Sequence, residues 1–227
     1  MAPAPPVVLV HGMASSFDLN WRRTGLADLL ADAGREVLAV DLLGHGSAPA
    51  PHDPAAYADL TARVVDVLPS DEPVDAVGFS LGARVLLEAA RDAPRRFGRL
   101  VLAGIGDSVL APEDREPLAR ALEAGDAGAP GVLGLFVRLA EGSGTDPLAL
   151  AALLRRPTPP LTAGDLGGIA GPVLLVLGER DHAWPADALL AALPDARLRA
   201  LERVDHFATP TDFGFLDATL DFLDAAI

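Results

Sequence analysis

Val74-Asp75-Ala76-Val77-Gly78-Phe79-Ser80-Leu81-Gly82 is the stretch from which the fold is read. Val74–Phe79 is a short apolar run of the kind that forms a buried strand, and Leu81–Ala93 carries a helical apolar pattern directly after it. Between them stands Gly78-x-Ser80-x-Gly82, a G-x-S-x-G pattern at a strand-to-helix turn. A serine on so sharp a turn holds strained backbone angles. Side chains two positions to either side would strike neighbouring elements, so glycine stands there. The turn lifts the hydroxyl clear of the sheet and aims the free N–H groups of the helix N-terminus at a reacting carbon. Ser80 is the candidate nucleophile.

Outward from this turn, strand-like runs recur at Val7–Val10, Glu36–Asp41, Leu100–Ile105 and Val173–Leu177, with a more polar, alternating edge strand at 196–204. Helical patterns lie between them. One covers Thr24–Ala33 and stops at Gly34; others run from Asp53-Pro54 to about Leu68, over Trp184–Leu193 with Pro185 in the first turn, and over Thr211–Ala226. In the last, Phe213, Leu216, Leu220 and Leu223 recur at helical spacing as the expected apolar face. Apolar strands alternating with helices predict a parallel sheet covered on both faces. Between the fourth and fifth strands the rhythm breaks into helical pieces near Glu113–Glu123, Gly131–Glu141 and Pro147–Arg155. This insertion, at about 107–165, is the expected helical lid over one α/β domain spanning residues 1–227.

Three further signals each follow a strand. His11-Gly12-Met13 turns tightly after the first, so that the backbone N–H of Met13, with that of Leu81, can form a two-donor oxyanion hole. His11 itself reads as structural. Gly178-Glu179-Arg180-Asp181 follows the fifth strand, and a carboxylate there lies on the ligand face of a parallel sheet. Asp181 is preferred to Asp107, which also follows a strand end, as the acceptor for a catalytic histidine. Val204-Asp205-His206-Phe207 lies in the last loop, and His206 is the expected general base. Among the other histidines, His45 reads as structural or pocket-lining and His52 as exposed. His182 directly follows Asp181, which makes an Asp–His–Ser line awkward.

Composition narrows the chemistry. The chain has no cysteine and no lysine; all 18 of its basic residues are arginine. Thiolate nucleophiles, Cys-based zinc sites, Schiff bases and a P-loop lysine are excluded. A net charge of −14 repels phosphate backbones and anionic lipids, so no nucleic-acid partner is expected. No apolar run reaches the roughly 18–20 residues that span a bilayer. Met1–Pro6 lack the basic and apolar regions of a signal peptide, and the default expectation is a cytoplasmic protein.

The order Ser80, Asp181, His206 is that of α/β hydrolases. The chain resembles that superfamily over nearly its whole length, through VVLVHGM at Val7–Met13, DLLGHG at Asp41–Gly46, GFSLG at Gly78–Gly82, PVLLVLGERD at Pro172–Asp181 and DHF at Asp205–Phe207. The resemblance implies an α/β-hydrolase fold with a mostly parallel sheet, here of about six strands because two N-terminal strands common in the family are not seen. It implies Ser80 as nucleophile, Asp181 as acid, His206 as base and Met13 and Leu81 as oxyanion donors. The serine common shortly after the GHG turn is here its immediate neighbour, Ser47.

The expected activity is hydrolysis of a carboxylic ester or related small-molecule acyl compound through an acyl-enzyme, with no metal and no organic cofactor. A thioesterase, a C–C bond hydrolase and a cofactor-free haloperoxidase or perhydrolase use the same triad. A ligand-sensing protein of the same fold is the alternative of another class. In the insertion, Leu133, Leu135, Phe136, Val137 and Leu139 form an apolar set that either lines an acyl pocket or packs the lid onto the core. Oligomeric state is left open.

Overall fold

The computed structural model describes residues 4–69 and 72–225. Six strands form one sheet: β1 (Val7–Val10), β2 (Val37–Val40), β3 (Val74–Phe79), β4 (Phe97–Ala103), β5 (Val173–Gly178) and β6 (Ala196–Leu201). Their order is β2-β1-β3-β4-β5-β6 and every neighbouring pair is parallel. The helices are α1 (Leu26–Asp32), α2 (Ala62–Val65), α3 (Leu81–Asp92), α4 (Glu116–Ala124), α5 (Val132–Ser143), α6 (Pro147–Leu154), α7 (Ala163–Leu166), α8 (Asp187–Ala192) and α9 (Phe213–Phe222).

Successive strand residues point to opposite faces, so continuous apolar runs feed two cores. Val8, Val10, Ala76, Leu100, Leu102 and Leu175 join residues of α3 and α8 on one face. Val7, Leu9, Val77, Val101, Leu174 and Val176 join Trp21, α1 and α9 on the other. A third apolar cluster lies within α4, α5 and α6 and reaches Ala14 and Met13.

All strands being parallel, their C-terminal ends share one edge of the sheet. The chain moves from β1 outward to β2 and then returns to the other side of β1 as β3. The loops after β1 and β3 therefore part at the point where strand order reverses, the place where open α/β sheets bind ligands. His11–Met13 and Ser80 sit there.

Several boundaries differ from expectation for local reasons. The helix expected over 53–68 is broken into a turn at Pro54–Tyr57 and α2. Between them the Asp59 carboxylate accepts the N–H groups of Thr61 and Ala62, at 3.0 Å each, and restarts the chain as an N-cap does. β4 begins at Phe97 and ends at Ala103, and β6 ends at Leu201, where the chain turns through Arg203 at φ 61°. Pro185 precedes α8 rather than sitting in its first turn. In α9 Phe215, Thr219 and Phe222 are buried beside Leu223, which directly follows the helix, while Phe213 is 86% exposed. Of the expected face, Leu223 is buried and Leu216 and Leu220 pack against the same core, so Phe213 alone falls outside it. The expected end of that helix at Ala226 lies outside the described residues.

Candidate active site

Ser80 joins β3 to α3 with φ 52° and ψ −111°, in the left-handed half of backbone space that a non-glycine residue avoids. The surrounding backbone holds it there. Its N–H donates to the Ala103 carbonyl of β4 at 2.8 Å, and its carbonyl accepts the N–H of Arg84 at 3.0 Å. The flanking glycines are required by close approach: a Cβ on Gly78 would lie 2.7 Å from the Ala83 nitrogen, and one on Gly82 2.1 Å from the Val10 carbonyl oxygen.

Because β5 and β6 are neighbours, the turn after one meets the loop after the other. The Ser80 hydroxyl lies 3.0 Å from His206 Nε2. On the far side of the ring, Nδ1 lies 2.9 and 2.8 Å from the two carboxylate oxygens of Asp181. A carboxylate only accepts, so the Nδ1 proton points at Asp181 and Nε2 is free to accept from Ser80. His206 and Asp181 are buried, at 4% and 5% exposure. Phe79 and Phe207 pack against the imidazole, with ring centroids at 4.9 and 5.3 Å. Burial pushes the Asp181 carboxyl up. The hydrogen bond and charge of His206, with the Ala183 N–H at 2.8 Å, outweigh it and hold the group below the ordinary carboxylate value.

Asp107 is engaged elsewhere: its carboxylate accepts the Leu189 N–H of α8 at 2.8 Å. His11 is fully buried, where its Nε2 accepts the Leu42 N–H at 3.1 Å and its Nδ1 donates to the Gly12 carbonyl at 2.8 Å. His45 is also buried, and its titration is pushed down to about 3, first by burial and then by His11. It does not line the candidate cavity. His52 is exposed and pairs with Asp146 at 2.7 Å. Ser47 donates its hydroxyl to Asp41 at 2.9 Å and clasps the Gly44–Gly46 turn. His182 is half-exposed, with its ring centroid 4.3 Å from that of His206. It titrates below the ordinary value, through partial burial and then the neighbouring His206.

A cavity of about 180 Å³ opens at Ser80 and His206, with Met13, Asn20, Phe136 and Leu139 among its walls. Among the described residues, the N–H groups of Met13 and Leu81 donate to no protein acceptor. Of the apolar set in the insertion, Phe136 and Leu139 face the cavity, Val137 and Leu133 join the cluster within the insertion, and Leu135 is exposed. Sequence reasoning did not single out Asn20. It lies in a π-helical turn, Asp18–Arg22, and its side-chain oxygen accepts the Gly12 N–H at 2.9 Å, pinning the loop that carries Met13. The only signal in the sequence is a polar residue beside an apolar Trp21. Asp181, His182 and His206 form the one group among the described residues that can offer three ligands to a metal ion.

Residues 7–218 match the profile of the alpha/beta hydrolase family. The chain belongs to that family. This alpha/beta hydrolase is 39% identical over 98 residues to a pimeloyl-[acyl-carrier protein] methyl ester esterase of Methylococcus capsulatus, covering 43% of the chain and 36% of the esterase. The chain spans about a third of the length of several curated relatives, 36% in this case. It is 29% identical over 247 residues to a 2-hydroxy-6-oxononadienedioate/2-hydroxy-6-oxononatrienedioate hydrolase of Cupriavidus pinatubonensis, covering 91% of the chain and 82% of that protein. A bromoperoxidase structure from Bacillus anthracis shares the fold, with a TM-score of 0.72 at 21% identity over 97% of the hydrolase and 92% of that chain. No helix among the described residues is long and apolar enough to cross a membrane.

Proposed function

We propose that this alpha/beta hydrolase cleaves carboxylic esters of small acyl groups through an acyl-enzyme on Ser80. The observation that carries the reading is His206 lying between the Ser80 hydroxyl at 3.0 Å and the Asp181 carboxylate at 2.8 Å. In this reading Ser80 attacks the carbonyl while His206 Nε2 takes its proton. Asp181 keeps the other ring proton on Nδ1 and stabilises the imidazolium. The N–H groups of Met13 and Leu81 receive the oxyanion. Protonated His206 then gives its proton to the leaving alkoxide, and water repeats the sequence on the acyl-serine. The segment bearing α4, α5 and α6 acts as the lid. A cavity of about 180 Å³ falls below the roughly 300–1,000 Å³ of sites for drug-sized ligands, which supports a short acyl chain against Phe136 and Leu139.

C–C bond cleavage by the same residues is the second reading, favoured by the long match to the Cupriavidus hydrolase. That protein is named for dioates, which carry two carboxylates. Among the described residues lining this cavity there is no arginine to receive one, which favours the neutral ester. The test is fluorophosphonate labelling followed by an acyl-ester series of rising chain length. Label is expected on Ser80, with rates falling beyond short chains. Ser80→Ala is expected to lose about 10⁴–10⁶ in turnover with its stability kept. Retention of more than a few per cent of the rate removes Ser80 as nucleophile.

A further inference from the structure

His182 takes no part in the proposed hydrolysis, yet it completes a ligand set with His206, the base, and Asp181, which orients it. We propose that Asp181, His182 and His206 form an inhibitory site for a divalent transition-metal ion such as Zn²⁺. His182 Nδ1 lies 3.6 Å from Asp181 Oδ1, and His206 Nδ1 lies 2.8 Å from Asp181 Oδ2. One ligand atom from each of the three residues falls within 4.8 Å of the other two. In a tetrahedral zinc site with bonds of about 2.0–2.2 Å, ligand atoms stand about 3.3–3.6 Å apart. The three residues are thus within a small shift of that geometry.

The donor chemistry selects the metal. Two imidazoles and one carboxylate suit zinc and its neighbours, with a fourth position left to water. Mg²⁺ and Ca²⁺ prefer oxygen ligands and are poorly served. The His182 side chain is 53% exposed while Asp181 and His206 are buried, so His182 is the ligand open to solvent.

The consequence for the base follows from the tautomer and rests on the reading of His206 given above. A metal ion on Nδ1 takes the lone pair of the nitrogen that otherwise carries the proton toward Asp181. The ring proton then resides on Nε2, the atom 3.0 Å from the Ser80 hydroxyl. An Nε2 that already carries hydrogen cannot accept the serine proton. The bound ion also occupies the carboxylate that would stabilise the imidazolium.

Binding and inhibition are measured separately. The full chain carrying Ser80→Ala is titrated with Co²⁺, followed by visible absorption, and with Zn²⁺ by calorimetry. The same titrations are run with His182→Ala or His182→Gln added, and with His52→Ala to remove the exposed His52–Asp146 pair. The expected result is one ion at this site, weakened at least tenfold by either His182 change and unaffected by His52→Ala. In turnover assays Zn²⁺ is expected to inhibit the native enzyme, EDTA to restore it and Mg²⁺ to do nothing. His182→Ala is expected to keep metal-free turnover within a few-fold and to need at least tenfold more Zn²⁺ for half-inhibition. Metal affinity indifferent to His182, or binding through His182 that leaves turnover intact, overturns the proposal. A native protein without ester turnover counts against the proposed reaction, and the Co²⁺ titration still decides the site.

Discussion

Asp181 and Asp107 both follow strand ends, yet their side chains do different work. Asp181 accepts the His206 Nδ1 proton and the Ala183 N–H, whereas Asp107 accepts the Leu189 N–H and holds the start of α8. Asp181→Asn replaces one acceptor oxygen by an amide donor and can turn the ring to the tautomer with hydrogen on Nε2. The loss is expected to approach 10⁴ in kcat, as for the corresponding change in the serine-protease triad. Asp107→Asn keeps an acceptor for Leu189 and is expected to leave kcat within a few-fold. Equal losses in a side-by-side assay would return the acid role to dispute. The sequence made the choice legible only as a preference, because both residues share the same strand-end signal. What separates them is which loop reaches His206, and that is a matter of β5 lying beside β6.

At the scale of elements, β1 to β5 and the elbow were readable because each is a largely local apolar run followed by a glycine-bearing turn, and β6 by its alternation. The parts that were not readable depend on partners distant in sequence. β4 starts early, pairing Phe97 with Val74, although Gly98 and Arg99 interrupt its apolar run. A buried charge beside that start explains part of this: Asp75 accepts the Arg99 N–H at 2.8 Å and the Arg35 guanidinium at 2.6 Å. Arg35 also donates to the carbonyls of Pro5 and Leu223, at 2.7 and 2.6 Å. It thus ties the lead-in to β1 and the end of α9 to the N-terminal edge of the sheet, opposite the candidate site. The side chains of Arg35 and Asp75 are only 2% and 6% exposed, so removing one partner leaves a charge buried and unpaired. Arg35→Met is expected to cost about 3–5 kcal/mol in urea unfolding while leaving the rate per folded molecule unchanged. A cost below about 1 kcal/mol would show that water reaches Asp75 in the folded state, since only a wet site makes such a pair cheap to break.

For the molecule as a whole, the formal net charge is −14, and its response to mild acid is expected to be set by buried histidines under the loops at the C-terminal edge of the sheet. His45 is buried with its Nδ1 3.1 Å from the Leu43 carbonyl, and its ring is 5.0 Å from that of His11. Burial and then His11 push its titration down from 6.5 to about 3. His11 is displaced in the same direction, chiefly by burial, and so is the half-buried His182. A group whose folded pKa is depressed binds its proton first in the unfolded chain. Stability from His45 is therefore complete above pH 6.5 and drains as pH falls toward 3, and only the acid end of that interval is shared with carboxylates held below their ordinary value, such as Asp41 and Asp181. Two pH units below its unfolded value, at about pH 4.5, the loss from His45 alone amounts to about 2.7 kcal/mol. His45→Asn offers the Leu43 carbonyl an amide donor without a titrating ring. Urea midpoints for native protein and variant at pH 7 and pH 4.5 form the test, read as the difference between the two pH-dependent losses. The variant is expected to lose about 2–3 kcal/mol less than the native chain over that interval, whatever its stability at pH 7. Identical losses would mean that His45 takes up its proton in the folded state, and that the acid response belongs to other groups.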